Sequence, residues 1–242
     1  MRPLVLIVVA LVAVVAGASG PEAPTAIDYE VTAVKRVFLA VGDETQHQLS
    51  VGDALASGQR LRTGSRSSAN LRVDEFEAEF HISAKTACRL AAGVPGVLLE
   101  VDLGSVRGAF WPLKGDRERL VVTPSAVLAV RGTEYGLSVN KKGATTVTVF
   151  RGLVELRSRE HGAGPLQLRA GQASRIRKGH EPASPWAHGL TTGDWDRGRR
   201  PSLPSGAGNS IRSSTSGSQP RAGGTGSKGN QQPPSGSRRH GG

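Results

Sequence analysis

The run from Val121 to Leu156, VVTPSAVLAVRGTEYGLSVNKKGATTVTVFRGLVEL, alternates apolar and polar residues with period two and is interrupted only at glycines. That period suits a strand with one buried face, whereas a helix would repeat its apolar residues every third or fourth position. The segment therefore reads as strand, hairpin, strand, turn, strand. Tyr135, Leu137 and Val139 fall on one face, Glu134, Gly136 and Ser138 on the other, one for a core and one for water. Asn140 to Gly143 form a polar loop whose glycine supplies the positive φ of a hairpin. Thr145, Val147 and Val149 return on the core face, Arg151 and Gly152 turn the chain again, and Val154 and Leu156 resume the alternation.

The same grammar extends outward. A first strand is expected near Val31 to Val41, and Gly42, Gly52, Gly58 and Gly64 then punctuate short apolar pieces. Ala69, Leu71 and Val73 alternate, and Phe76, Ala78, Phe80 and Ile82 alternate against an acidic row of Glu75, Glu77 and Glu79 with His81. Ala87 to Gly93 fits a helical turn or a strand. Val97 to Leu103 alternates again and ends at Gly104, with a turn at Val106, Arg107 and Gly108. Phe110 and Trp111 are expected in the core, because a chain with 4% aromatic residues has few to spend elsewhere. Trp186 and Trp195 are expected to cover a sheet edge or the bottom of the core, extending the ordered region to about Asp196.

Several of these pieces together resemble the FecR domain family. The residues that carry the likeness are Val122-Thr-Pro-Ser-Ala126, Val130-Arg-Gly-Thr-Glu-Tyr135, Val147 to Val154 and Leu166 to Gln172, with Leu49 to Asp53 and Leu61 to Gly64 in the front half. The likeness spans roughly Val31 to Lys178. It implies a structural signature at Gly52, Asp53, Thr63, Gly64, Thr123, Pro124, Arg131, Gly132, Thr133, Glu134, Gly152 and Gly171. The family's usual Asp-Gly turn is Asp74-Glu75 in this chain, which implies a looser hairpin there. Family members typically relay the state of an outer-membrane transporter to an extracytoplasmic sigma factor. Such a relay has an amino-terminal cytoplasmic segment and a membrane span where this sequence opens on a leader-like run, so the expectation is the outer half of a divided system, or the module reused for envelope or surface binding.

Export is expected from the start of the sequence. Met1 and Arg2 precede an unbroken apolar run from Leu4 to Val15 and the small residues Ala16-Gly17-Ala18, the layout of a cleavable leader over residues 1–18. The run is shorter than the roughly 20 residues of a membrane-spanning helix, so no stable span is expected after cleavage. A linker over 19–27 leads into an all-β domain over 28–196. From Arg197 the chain is rich in Gly, Ser and Pro, with basic residues at Arg197, Arg199, Arg200, Arg212, Arg221, Lys228, Arg238 and Arg239 and no acidic one. Removing those eight charges from the net +11 leaves +3 for everything before them, so the basicity belongs to a tail that cannot bury enough to order itself.

Chemistry is thinly signalled. The histidines are scattered without metal-ligand spacing, no nucleophile elbow or phosphate loop is present, and Gly224 to Gly229 spells a dinucleotide fingerprint only within a low-complexity tail. No catalytic residue, metal or cofactor is expected, and the lone Cys88 excludes an internal disulfide. Arg131 is expected to lock two strand connections by a paired bond to a carboxylate, with an anionic ligand as the alternative. The tail lacks aromatic residues, so it has nothing to stack on nucleic-acid bases, and anionic surfaces are its expected partner. The sequence thus predicts an all-β sandwich or roll, with β-helix-like coiling open. Its expected function is an exported, periplasmic or extracellular, non-enzymatic module binding an envelope protein or surface polymer. The alternatives are an electrostatic binder acting through the tail and an exported hydrolase.

Overall fold

The structure, a computed structural model, describes residues 27–41, 45–90, 93–112, 115, 117–160, 162 and 164–204. The expected leader, most of the linker and the tail beyond Pro204 lie outside the described residues. The chain divides into one compact unit, Met1–Ala207, and a second, Gly208–Gly242, which is not among the described residues.

The fold is all-β. In order come β1 (Asp28–Val41), β2 (Thr45–Gln48), β3 (Ala54–Ala56), β4 (Arg60–Val73), β5 (Ala78–Ile82), β6 (Ala87–Leu90), β7 (Val97–Phe110), β8 (Leu120–Val122), β9 (Ala126–Val139), β10 (Thr145–Ser158), β11 (Leu166–Arg169), β12 (Gln172–Ile176) and β13 (Trp186–Ala187), then a short helix α1 (Thr192–Asp196). Among the described residues all strands join one 13-stranded sheet. Its pairings are antiparallel except β7 with β8.

Five strands, β1, β4, β7, β9 and β10, are 14 residues long, and each carries one positive-φ residue near its middle. These are Arg36 (φ 50°), Arg66 (61°), Gly104 (101°), Gly132 (57°) and Gly152 (81°). At that residue the strand bends and changes partners. The first half of β10 pairs with β12 and its second half with β11, while β4 pairs first with β6 and then with β5. A sheet whose long strands all bend folds over on itself.

The bends also keep the apolar row inside. On the core face of β9 the buried residues are Ala126, Leu128 and Val130 before Gly132, then Thr133, Tyr135, Leu137 and Val139 after it. An extra residue at the bulge flips the parity, so both halves face one core. That core runs from Ile27 to Ile176 as a single cluster, and each fully buried Val, Leu or Phe in it contributes about 1.5–3 kcal/mol. Across it, the Tyr29 hydroxyl donates to the Leu98 carbonyl.

Bends lie on two opposite lines. Gly104 of β7 lies beside Val139 at the end of β9, whereas Ala109, near the end of β7, lies beside Glu134, just past Gly132. One line therefore holds the bends of β1, β4 and β7, and the other those of β9 and β10.

Several expectations are corrected by this geometry. Arg131-Gly132, Arg151-Gly152, Gly64 and Val106 to Gly108 were expected to separate strands; all lie inside continuous ones. At Gly132, Gly152 and Arg66 a bulge with positive φ turns the chain without ending the ladder, while Val106 to Gly108 pair in unbroken register with β5 and β9. The acidic strand face is broken: Asp74–Phe76 form a 3-10 turn, Glu77 takes φ 47°, and β5 begins only at Ala78. Glu75 pairs with Arg117 at 2.7 Å, and Glu79 with Arg72 at 3.4 Å. The segment from Ala87, open between helix and strand, is strand β6. Phe110 is fully buried, but Trp111, one residue past the end of β7, is 40% exposed.

Candidate functional site

The residues singled out by the family resemblance gather at bends and turns, where each satisfies backbone groups that the change of direction would strand. At the β9–β10 bend the Thr133 hydroxyl lies 2.6 Å from the Leu153 carbonyl and 2.9 Å from that of Arg131, and accepts the Leu153 N–H at 3.2 Å. A Cβ on Gly152 would stand 2.6 Å from the Gly132 carbonyl oxygen and 3.0 Å from the Thr133 Cα. The two Arg-Gly pairs of the sequence are thus one contact, in which Gly152 seats itself on the Gly132-Thr133 corner. The latch is the threonine; the Arg131 side chain is exposed on the outer surface, in the row of Leu153 and Arg169.

Thr63 repeats the device on the other bend line. Its hydroxyl lies 2.6 Å from the Ser83 carbonyl and accepts the Thr86 N–H at 2.8 Å. The Gly64 carbonyl accepts the Lys85 N–H at 3.1 Å. Thr123 is the third instance. Its side chain accepts the Ala126 N–H at 2.9 Å, with Pro124 inside that turn, and joins the Thr145 and Ser125 hydroxyls in a buried cluster at 2.8 Å. Gly52 (φ 91°) donates to the Val31 carbonyl, and Asp53 accepts the Ser50 N–H at 2.8 Å. Gly171 (φ 81°) donates to Val149.

Glu134 belongs to a polar row on the outside of the sheet. His81 Nδ1 lies 2.6 Å from Asn70 Oδ1, and its cross-strand neighbour Arg107 binds Glu134 at 3.1 Å and Asp196 at 3.0 Å. Asp196 arrives on the C-terminal strap, residues 186–204, which lies across the face expected to meet water. Trp195 is completely buried there, its ring against Gly136, where a Cβ would come within 2.6 Å. Phe150 meets the Trp195 ring edge-on, with centroids 6.0 Å apart. Thr148 is fully buried, and His188 Nε2 lies 2.9 Å from the Val149 carbonyl. The tryptophans were expected at an edge or the bottom of the core. Trp186 does sit in the edge strand β13, but Trp195 covers an outer face.

The strap also takes up the first cations of the expected tail. Arg200 stacks 3.8 Å from the Trp195 ring centroid and reaches the Ser105 hydroxyl at 3.3 Å. Arg197 and Arg199 pair with Asp194 at 2.9 Å and 3.0 Å. Hydrogen bonds from Thr191, backbone first and then side chain, together with Arg197, hold the Asp194 carboxyl well below its ordinary range.

Among the described residues no group of three or more His, Cys, Asp or Glu is placed to hold a metal. No helix among them is long and apolar enough to cross a membrane. Burial, with Asp102 adding to it, pushes the Cys88 thiol up to about 12, so it packs as a small apolar group.

Burial also lowers the pKa of His81 from 6.5; Asp196 opposes the shift and Arg107 reinforces it. The folded state then binds fewer protons at this site than the unfolded chain. Stability from His81 is present above pH 6.5 and is lost as pH falls from there through the lowered folded value. The melting temperature is therefore expected to drop below pH 6.5, and a His81→Gln variant to show a flatter profile; identical profiles would contradict the burial argument.

No protein-family model matches the chain, and no curated protein matches it. Among solved structures it is similar to two crystal structures of a candidate anti-sigma factor from Parabacteroides distasonis. Each has a TM-score of 0.44 at 14% identity and covers 53% of this chain and 59% of that one. The chain thus spans less than two thirds of that protein's length.

Proposed function

We propose that this chain is an exported, FecR-like module that works by binding rather than by chemistry, its partner an envelope protein or a surface polymer in envelope signalling. The observation that supports this reading is the use made of the motif. The hydroxyls of Thr63, Thr123 and Thr133 are engaged by backbone groups at bends and turns, and Gly132 and Gly152 form the corner itself. Residues so committed specify a shape, and a shape kept while its outer surface varies is what a binding scaffold requires.

Export rests on the leader-like start, and the link to signalling on the family resemblance. Crosslinking in intact cells, with fractionation and identification of the captured species, tests both. The expected result is recovery from the envelope or medium with a discrete envelope partner. Recovery from the cytosol with residues 1–18 intact would overturn the reading, as would turnover of a peptide, ester or glycan abolished by a single Asp, Glu or Ser substitution.

A further inference from the structure

Where β7, β9 and β10 bend, the positive-φ residue is glycine, which takes that conformation without steric cost. Where β1 and β4 bend it is Arg36 and Arg66, and beside them, in the turn between β5 and β6, it is Lys85 with φ 56°. All three side chains are exposed. One corner of the roll thus places cations at three positions where glycine would relieve the backbone, and an outlier kept at such a cost points to use.

These residues are neighbours through the backbone. Lys35, next to Arg36, pairs with Ser68 across β1 and β4, and Lys85 is bonded to Gly64, two residues before Arg66. The row continues along the outer face of β4 with Arg62 and Arg60, alternate residues whose spacing is about 7 Å. Arg60 lies directly opposite Arg89 of β6, a like-charge pairing that opposes folding, although Glu100 flanks Arg89 on its other side. Among the described residues none of Lys35, Arg36, Arg60, Arg62, Arg66 and Lys85 takes part in an ion pair, whereas Arg72, Arg107, Arg117 and Arg157 all do.

We infer that this cationic line on the folded domain is the contact surface for a linear acidic polysaccharide. A membrane surface would call for an apolar anchor among the cations, and the exposed aromatic Trp111 lies at the other end of β7, bonded to Glu77 and Arg119. A polymer with regularly spaced carboxylates matches charges strung along a strand and its bend. This inference rests on the binding reading above and gives it a surface and a partner class. It is separate from any role of the tail.

The test uses the full chain and polygalacturonate as probe, with neutral dextran as control. The parent chain is expected to bind polygalacturonate with a log affinity that falls linearly with log salt, the mark of counterion release. Combining Arg36→Gly, Arg66→Gly and Lys85→Gly removes three charges and relieves three strained residues. Affinity is expected to fall at least about tenfold at low salt, while the melting temperature holds or rises. Replacing Arg212, Arg221, Lys228, Arg238 and Arg239 by Gln in the full chain is expected to change affinity by no more than about threefold. Undiminished binding by the glycine variant, or binding lost with the tail cations, would overturn the inference. So would binding to phosphatidylglycerol vesicles in place of the polymer. None of these results bears on capture of an envelope protein in cells, so the two readings fail separately.

Discussion

A Gly152→Ala chain is expected to lose about 2–5 kcal/mol of stability, the sum of a left-handed backbone cost and overpacking against rigid backbone. The added methyl would stand 2.6 Å from the Gly132 carbonyl oxygen and 2.9 Å from Thr133 Oγ1, at a φ of 81° that a side chain strains. Neither neighbour can retreat, because Thr133 is held on both sides by backbone bonds of β9 and β10. The loss is a large fraction of a typical domain's total stability of about 5–15 kcal/mol. It should appear in thermal melts as a midpoint lowered by roughly 5–20 °C. Gly171→Ala serves as the comparison, since it too has φ 81° but nothing within 4 Å of its Cβ, and its loss should be about 1–2 kcal/mol. Equal losses at the two positions would show that backbone strain alone acts, with no contribution from the corner.

Trp195→Ala is expected to free the strap while leaving the core folded. Truncating a fully buried tryptophan costs about 3–5 kcal/mol, and Trp195 lies outside the main apolar cluster. Native-state trypsin cleavage after Arg197 and Arg199 should therefore accelerate by roughly 100-fold or more, at about 1.4 kcal/mol per factor of ten. Gly136→Val should reproduce this from the other side of the contact, since a Cβ there meets the indole at 2.6 Å. The double variant should be hardly worse than either single one, because each removes the same interaction. Additive effects would place Trp195's contribution elsewhere. The interface is also imperfect: Thr148 Oγ1 and Trp195 Nε1 are buried without a partner, each costing about 1–3 kcal/mol.

The core faces of β9 and β10 were legible in the sequence, because period-two alternation with valine and threonine leaves a chain little choice of which face to bury. Glycine marked the bends but could not say whether they end a strand or fold it. A positive-φ residue serves both, and only the partner strands, distant in sequence, decide. The strap was half legible: two tryptophans beyond the last alternating segment had to cover something. That Trp195 selects the small patch around Gly136 depends on a pairing of β9 with β7 and β10 that no local pattern announces.

The cationic corner carried no local signal. Arg36, Arg66 and Lys85 are residues that ordinarily do not mark turns, so their backbone conformation emerges only from the bends around them. Thr133 gave no such signal either, although its short hydroxyl reaches backbone groups on both strands of the corner.

Hydrogen exchange of the full chain with and without polygalacturonate sets the two bend lines against each other in one experiment. Slowed exchange at residues 35–36, 60–66 and 85–89, with the Arg131–Glu134 and Arg151–Gly152 amides unchanged, is the outcome expected of a scaffold whose motif makes the corner and whose cations make the contact. Slowing confined to Arg131–Glu134 and Arg151–Gly152, or to residues beyond 204, would contradict it.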